Sequence, residues 1–509
     1  MTEREHDTLV RRLLAKLGGT SKDLIQSHIS SVITVGDIVY KLKKPVDFGF
    51  LDYSTLARRK HFCEEEVRIN SRFAPQLYLG VVAVTGSLEA PVLEGAGDAL
   101  EYAVKMHRFD TAEQLDNIVA HSGLSDVQCD AIADAAAAMH AAAIPVELQN
   151  DFGTPERVLM PMRENFDLMA SLHQDGALSK SVAKLQAWTL AQHTRLTPRL
   201  RKRREEGWVR ECHGDMHLHN MALFDSRPVL FDAIEFNPYL SHIDVISDLA
   251  FLLMDLEYRG LKTQSLRVLN RYLERTGDYE AAALLPFYKT YRAMVRAKVL
   301  ALHAAQEIPE TERKAIVSEI HAYVALAVGY TKPLPVFLAI MHGFSGSGKS
   351  SVALKIAVRH GALRIRSDVE RIRMFGSGRD SRKVYAADAT EATYTRLESI
   401  AAGLLQSGCA VIVDATFLQE RYRRRFALTA GGLNVPFCLL DITCDDKELV
   451  RRLRQRASEA DVSEADEAVL ALQKANAEPL QSDEEPSVLH LPCSGEGVEA
   501  MFERYLQKR

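Results

Sequence analysis

The chain has 509 residues, 47% hydrophobic and 26% charged, with 63 Lys+Arg against 68 Asp+Glu for a formal net charge of -5. That ordinary globular balance excludes a disordered, collagen-like or disulfide-scaffold protein, and at roughly 100–200 residues per domain the length predicts about two to four domains. The slight acidic excess excludes a global basic field that would draw the chain onto nucleic acid or an anionic membrane, leaving only a local basic patch open.

In chain order, a helix is predicted over residues 4–17, then two short β-rich runs, 29–35 and 38–42, joined by a tight turn at Gly36-Asp37. A charged helical stretch follows over 54–72, with Pro75 beyond its end, and then two strand-like runs at 81–85 and 101–106. From residue 125 the pattern is mostly helical. An Ala-rich helix over 130–143 ends at Pro145, and a long one over 182–206 is predicted to kink at Pro198. Its last turns hold the basic run 199–204, which reads as a solvated helix end, and further helices fill 263–328.

Two close prolines in Lys332-Pro333-Leu334-Pro335 break the helical pattern, so 331–335 is the predicted linker between a domain at 1–330 and one at 336–509. After it comes a continuous apolar run, 336–341, as expected of a parallel strand buried on both faces. Helices near 349–359, 387–406 and 420–428 then alternate with strands near 363–366, 410–413 and 436–442, which predicts an α/β three-layer domain on a parallel sheet. The acidic, Ala-rich stretch 457–485 reads as an exposed, mobile segment. Seven scattered cysteines without a C-x-x-C, a polar N-terminus and no apolar run of about 18 residues point to a cytoplasmic protein with reduced thiols, no signal peptide and no membrane span.

Gly343-Phe344-Ser345-Gly346-Ser347-Gly348-Lys349-Ser350 follows the buried strand and opens a helix, matching G-x-x-x-x-G-K-[ST] in full. Glycines let backbone N–H groups close around phosphate oxygens, and the helix N-terminus adds a favourable dipole. Lys349 should reach the β- and γ-phosphates of ATP and the Ser350 hydroxyl should ligate Mg²⁺; Ser351 completes the candidate set. Val411-Ile412-Val413-Asp414 is an apolar strand ending in a carboxylate that would face the same Mg²⁺, and Thr416 could share the site. Asp368, directly after the next strand, is either the general base for an attacking hydroxyl or a helix N-cap, a role Ser367 would also serve.

With Ser367-Asp368-x-x-Arg371 added to the phosphate loop, the chain from 336 onward resembles the small P-loop kinases that include polynucleotide 5'-hydroxyl kinases, zeta-toxin-type kinases, and antibiotic and gluconate kinases. The resemblance implies that Asp368 is the base and that Arg371 contacts substrate or phosphate. It also implies a lid at Arg451, Arg452, Arg454 and Arg456, without saying which arginine acts. It is specific for nucleotide binding and much less so for the acceptor.

The second signal is His213-Gly214-Asp215-Met216-His217-Leu218-His219-Asn220, followed by an apolar run into Asp232. Its three histidines lack the companion ligands of a zinc site. An Asp, an Asn five residues on and a further Asp after a strand is instead the arrangement of a kinase catalytic loop and metal site, with Asp215 as proton acceptor and Asn220 and Asp232 on Mg²⁺.

Here the chain resembles aminoglycoside phosphotransferases and the wider choline-kinase and protein-kinase-like superfamily, which implies an α+β two-lobed domain. The family's metal motif is usually D-x-E or D-F-G-like. This chain has Asp232-Ala233-Ile234-Glu235, one residue longer, which puts the role of Glu235 in doubt. The resemblance further implies a strand Lys, Lys41 with Lys43 second; an ion-pair Glu, Glu66 with Glu65 second; a bracing Asp248; and a lobe-joining segment at 105–109. No glycine-rich loop stands in the first hairpin beyond Gly36.

Together these features predict a bifunctional ATP- and Mg²⁺-dependent phosphotransferase acting on hydroxyls, with a small-molecule acceptor favoured. The alternatives are an RNA- or DNA-end kinase using Arg421, Arg423, Arg424 and Arg425, and an ATP-sensing regulator.

Overall fold

The apolar alternation of the first hundred residues becomes an antiparallel sheet. The computed structural model describes residues 1–49, 51–172, 176–376, 387–456 and 467–507. Strands β1 (Leu24–Gln26), β2 (Ser30–Val35), β3 (Ile38–Lys43), β4 (Tyr78–Gly86), β5 (Pro91–Leu93) and β6 (Glu101–His107) assemble in the order β1-β2-β3-β6-β4-β5. Val35 pairs with Ile38 across the expected Gly36-Asp37 turn, where Gly36 takes φ +57°. Helix Glu3–Lys16, started by a Thr2–Glu5 capping box, packs Leu9, Val10 and Leu13 against Ile33, Leu42, Val84 and Ala103.

Helix Leu56–Asn70 buries Arg59, Cys63, Glu66 and Asn70, a helical stripe that is largely polar. Such a stripe is tolerable only if each group is paired. Arg59 meets this by donating to the buried Glu101 carboxylate at 2.8 and 3.0 Å, and Asn70 by donating to Glu66 O at 2.9 Å.

The rest of this half is helical, with two small hairpin-like pairs. Strands β7 (Val209–Glu211) and β8 (Met221–Phe224) flank the His213–Asn220 loop, β9 (Arg227–Leu230) pairs with β8, and β10 (His242–Asp244) pairs with β7. Helix Val245–Tyr258 is apolar nearly all round and buries its first twelve residues, as a core helix should. Helix Pro155–Leu172 falls within the stretch that reads as mostly helical, where the sequence pattern draws no bounds for it. Helix Gly176–Glu205 continues through Pro198.

The basic run at the end of that helix is not simply solvated. Arg203 is buried and donates from Nε and Nη2 to Asp244 at 2.7 and 2.8 Å, while Arg204 donates to Phe152 O at 2.8 Å. The partner carboxylate lies 41 residues downstream, which is why the run alone reads as surface. Removing one member of a buried pair leaves an uncompensated charge. Asp244→Ala should therefore destabilise this unit by roughly 3–5 kcal/mol in denaturant unfolding. A loss under about 1 kcal/mol, the scale of a surface pair, would contradict the assignment.

In the other half, β11 (Leu338–His342), β12 (Leu363–Arg366), β13 (Val411–Asp414), β14 (Phe437–Thr443) and β15 (Val488–Pro492) form a fully parallel sheet in the order β12-β13-β11-β14-β15. Ala339, Met341, Ile412 and Leu440 face helices Lys349–His360 and Val498–Gln507. The alternate residues Leu338, Ile340, Val411 and Val413 are equally buried on the other side, where helices Ala387–Gln406 and Glu420–Gly432 pack. Both faces are covered, giving three layers.

Packing divides the chain into Met1–Gly260 with Phe287–Gly329, and Leu261–Pro286 with Tyr330–Arg509. Residues 261–286, which the expected boundary at 330 assigns to the first domain, thus pack with the second unit. There helix Lys262–Thr276 covers the β12 edge. Asn270 Oδ1 accepts from Arg364 N at 2.7 Å and its Nδ2 donates to Ala362 O at 3.2 Å, supplying ladder partners an edge strand lacks. Of the stretch read as mobile, 457–466 lies outside the described residues, whereas Glu467–Ala475 is a helix with Leu470 buried. Among the described residues, no helix is long and apolar enough to cross a membrane.

Candidate active sites

The first site is built on the turn between β7 and β8. Gly214, at φ +82°, has no room for a side chain, because a Cβ would lie 2.8 Å from Leu240 O. The turn is fixed from behind. Asp248 accepts from the backbone N–H groups of His213 and Gly214 at 3.0 Å each, Asp255 accepts from Leu218 N at 3.0 Å, and Arg292 donates to Gly214 O at 2.9 Å. Asp248 is therefore the brace the sequence suggested.

That scaffold presents Asp215 with its side chain 37% exposed. Its Oδ2 accepts from Asn220 Nδ2 at 3.0 Å and lies 3.2 Å from His217 Nε2. Burial pushes the Asp215 carboxyl up, but His217, His213 and Arg296 outweigh it and hold the group well below the usual carboxylate range. Asp215 is ionised and able to accept a proton. The three histidines take separate partners: His213 bonds Phe231 O at 2.8 Å, His217 bonds Asp215, and His219 bonds Asp116 at 2.8 Å. They do not form a common metal cluster.

Asp232 sits at φ +61°, a left-handed conformation uncommon for a non-glycine residue, with its N–H donating to the Tyr78 hydroxyl at 3.1 Å. Its carboxylate meets Lys41. Lys41 and Lys43 occupy one strand face, as their spacing requires, and both reach Glu66: Lys41 Nζ at 2.8 Å from Oε1, Lys43 Nζ at 2.7 Å from Oε2. Lys43 also meets Glu235 and lies 3.3 Å from the Tyr53 hydroxyl, so Glu235 belongs to a buried ion-pair network. Glu65 instead pairs with Arg68 at the surface, 2.7 Å away.

Burial raises the Glu66 carboxyl, but the two ammonium groups win and bring it down to about 2. A depressed carboxylate stabilises the fold fully above the ordinary value near 4.5 and loses that contribution as pH falls toward about 2. Glu66→Gln should therefore flatten the stability–pH slope between pH 4.5 and 3 by up to one proton, read by urea unfolding at stepped pH. An unchanged slope would refute the pairing.

The second site surrounds the phosphate loop. Gly343 (φ +135°) and Gly346 (φ +86°) lie so close to neighbouring backbone that a Cβ would fall 2.7 Å from Ile442 O and 3.0 Å from Leu449 O. Lys349 Nζ donates to Phe344 O at 2.6 Å across the loop. A cavity of about 400 Å³ is lined by Ser345, Gly346, Gly348, Lys349, Ser350 and Ser351, and by Asp368, Arg371, Asp414 and Thr416 opposite. Gly343 and Ser347 do not line it; Ser347 is buried behind the loop.

Asp368 and Arg371 pair at 3.3 Å. No side chain caps helix Ser367–Phe375, so neither Asp368 nor Ser367 serves as its N-cap and Asp368 faces the cavity instead. Asp414 is buried at the end of β13, and its Oδ2 has no hydrogen-bond partner. A buried carboxylate oxygen without a donor, beside Ser350 and the phosphate loop, fits a divalent cation.

Of the arginines expected to form a lid, Arg452 reaches the loop, donating to Ser347 O at 3.3 Å and Cys493 O at 3.2 Å. Arg451 and Arg454 pair with Glu448 and Glu467 at the surface, and the side chain of Arg456 lies outside the described residues. Sequence reasoning missed Gln473, which donates to Ser345 Oγ and accepts from Ser345 N, both at 2.9 Å; no local pattern points across 128 residues. The Arg421–Arg425 cluster is engaged internally. Arg423 is buried on Glu484, Arg424 pairs with Glu420 and Asp483, Arg425 pairs with Glu391 and Glu398, and Arg421 stacks on Tyr422.

Residues 55–285 match the Phosphotransferase enzyme family and residues 338–480 match the AAA domain. A choline/ethanolamine kinase family protein from Mesorhizobium loti is similar over 64% of this chain and 99% of its own, at 11% identity and TM-score 0.37. A gluconokinase from Sinorhizobium meliloti 1021 is similar over 35% of this chain and all of its own (100%), at 21% identity and TM-score 0.27. An uncharacterised protein of Mycobacterium tuberculosis is 30% identical over 430 residues, 82% of this chain and 83% of its own, and one of Mycobacterium bovis matches over the same extent. The chain belongs to the family of these mycobacterial proteins, and it is a fusion of an aminoglycoside-phosphotransferase-like, two-lobed kinase domain with a P-loop kinase domain.

Proposed function

We propose that the chain is a bifunctional ATP-dependent kinase, each site moving the γ-phosphoryl group of ATP to a hydroxyl of a small molecule. The observation that carries the reading is the recurrence, in both sites, of an accessible aspartate together with a lysine and a second carboxylate suited to phosphates and a cation. In the first these are Asp215, Lys41 and Asp232; in the second, Asp368, Lys349 and Asp414.

In each site the acceptor oxygen attacks the γ-phosphorus, the bond to the β-phosphate oxygen breaks, ADP leaves, and the acceptor proton passes to the aspartate. Asn220 and Asp232 in the first site, and Ser350 and Asp414 in the second, would hold Mg²⁺, which when bound neutralises phosphate charge. Lys41, kept in place by Glu66, orients the phosphates of the first site, and the phosphate-loop amides with Lys349 do so in the second. Seven free thiols support a reducing, cytoplasmic setting for the reaction. A small acceptor is favoured over a polynucleotide because Arg423, Arg424 and Arg425 are already paired with carboxylates.

The test is γ-labelled ATP with Mg²⁺ and a cell extract split into small-molecule, RNA and protein fractions. Label in the small-molecule fraction, lost in Asp215→Asn or Lys349→Ala, is the expected result. Label in RNA lost only with Lys349→Ala would favour an end kinase, and no transfer with ATP still bound would favour a nucleotide-sensing regulator.

A further inference from the structure

Helix Lys262–Thr276 lies inside the stretch matched to the Phosphotransferase enzyme family, yet packs with the P-loop unit. Its Glu274 is buried there beside the phosphate site. Glu274 Oε1 accepts from Arg364 Nε at 2.9 Å, and Arg364 Nη1 in turn donates to the backbone carbonyl of Ser350 at 2.8 Å. The other carboxylate oxygen faces Arg366. Arg366 stands between two acids, Nη1 3.8 Å from Glu274 Oε2 and Nε 3.7 Å from Asp414 Oδ2. Both distances exceed hydrogen-bond range, so the guanidinium is shared and does not close on Asp414. Asp414 Oδ2 itself is buried without a donor.

We propose that Glu274, contributed by the segment inserted from the phosphotransferase half, is a positioning residue for the P-loop site: it holds Arg366 off Asp414 and keeps that carboxylate available to Mg²⁺. The inference rests on the kinase reading of that site. Without the Glu274 charge, Arg366 closes on Asp414 as a charge-assisted hydrogen bond and competes with the cation. Gln at 274 still accepts from Arg364, so the link to Ser350 is the part least disturbed.

The experiment is calorimetric titration of the full-length protein with ADP at stepped Mg²⁺ concentrations, taking the signal lost in Lys349→Ala as that of the P-loop site. Glu274→Gln should raise the Mg²⁺ midpoint by about tenfold, the scale of one partly desolvated charge, while Mg²⁺-free ADP affinity changes much less. Adding Arg366→Gln to Glu274→Gln should bring the midpoint back to the wild-type range. An unchanged midpoint in folded Glu274→Gln, or a double variant as weak as the single, overturns the proposal. If Glu274→Gln does not fold, Arg366→Gln alone decides: a midpoint below wild type supports the proposal and one at or above it refutes it. Wild-type protein with no Lys349-dependent ADP binding would sink the kinase reading and this inference with it, which separates the two failures.

Discussion

Asp215→Asn should abolish the proposed transfer through the first site while leaving nucleotide binding in place. The amide has the shape of the carboxylate and can still accept from Asn220, but it cannot take the acceptor's proton. Removing a general base costs about 10²–10⁴ in rate. The turn itself is held by Asp248, Asp255 and Arg292, none of which depends on the Asp215 charge, so the fold should survive. Single-turnover transfer to acceptor, measured beside ATP binding, checks this. A rate loss below about tenfold, or ATP affinity lost together with rate, would remove Asp215 from the base role.

Lys349→Ala has the second large effect, of a different kind. The side chain is buried at the mouth of the phosphate loop, and its ammonium is the one cation placed by the loop itself. Deleting a preorganised charge aimed at transferring phosphate costs about 10²–10³ in rate, and here ground-state affinity should fall too, because the same ammonium would hold the β-phosphate. Nucleotide binding to the P-loop unit and its share of ADP release should both drop, with an unchanged melting transition. Transfer by the first site should continue at the wild-type rate. If that also stopped, the two sites would be coupled.

Much of both sites is legible in the sequence because their chemistry is local. Gly343, Gly346 and Gly214 stand where backbone comes too close for a side chain, so the glycine spacing reports geometry directly. The His213–Asn220 loop compresses the proposed base and a proposed metal ligand into eight residues. Strand alternation places Lys41 and Lys43 together, but it cannot show that both share Glu66, which arrives from a helix 25 and 23 residues later.

The failures share that cause. Arg203, Glu274 and Gln473 each act on a partner between 41 and 128 residues away, and nothing nearby in the chain records the pairing. Strand β15 escaped because Val488-Leu489-His490-Leu491-Pro492 is a short, half-buried edge strand ending in proline, which resembles a loop. The helix Glu467–Ala475 was hidden by the acidic composition around it.

The allocation of residues 261–286 to the P-loop unit means that the chain passes between units three times, after Gly260, after Pro286 and after Gly329. The proline-marked linker is thus only the last of three crossings. A gene split or recombined there would yield a first piece carrying a helix whose partners are gone, and a second piece with a bare β12 edge and Arg364 buried without its carboxylate. A cut at that linker therefore does not separate two self-contained pieces.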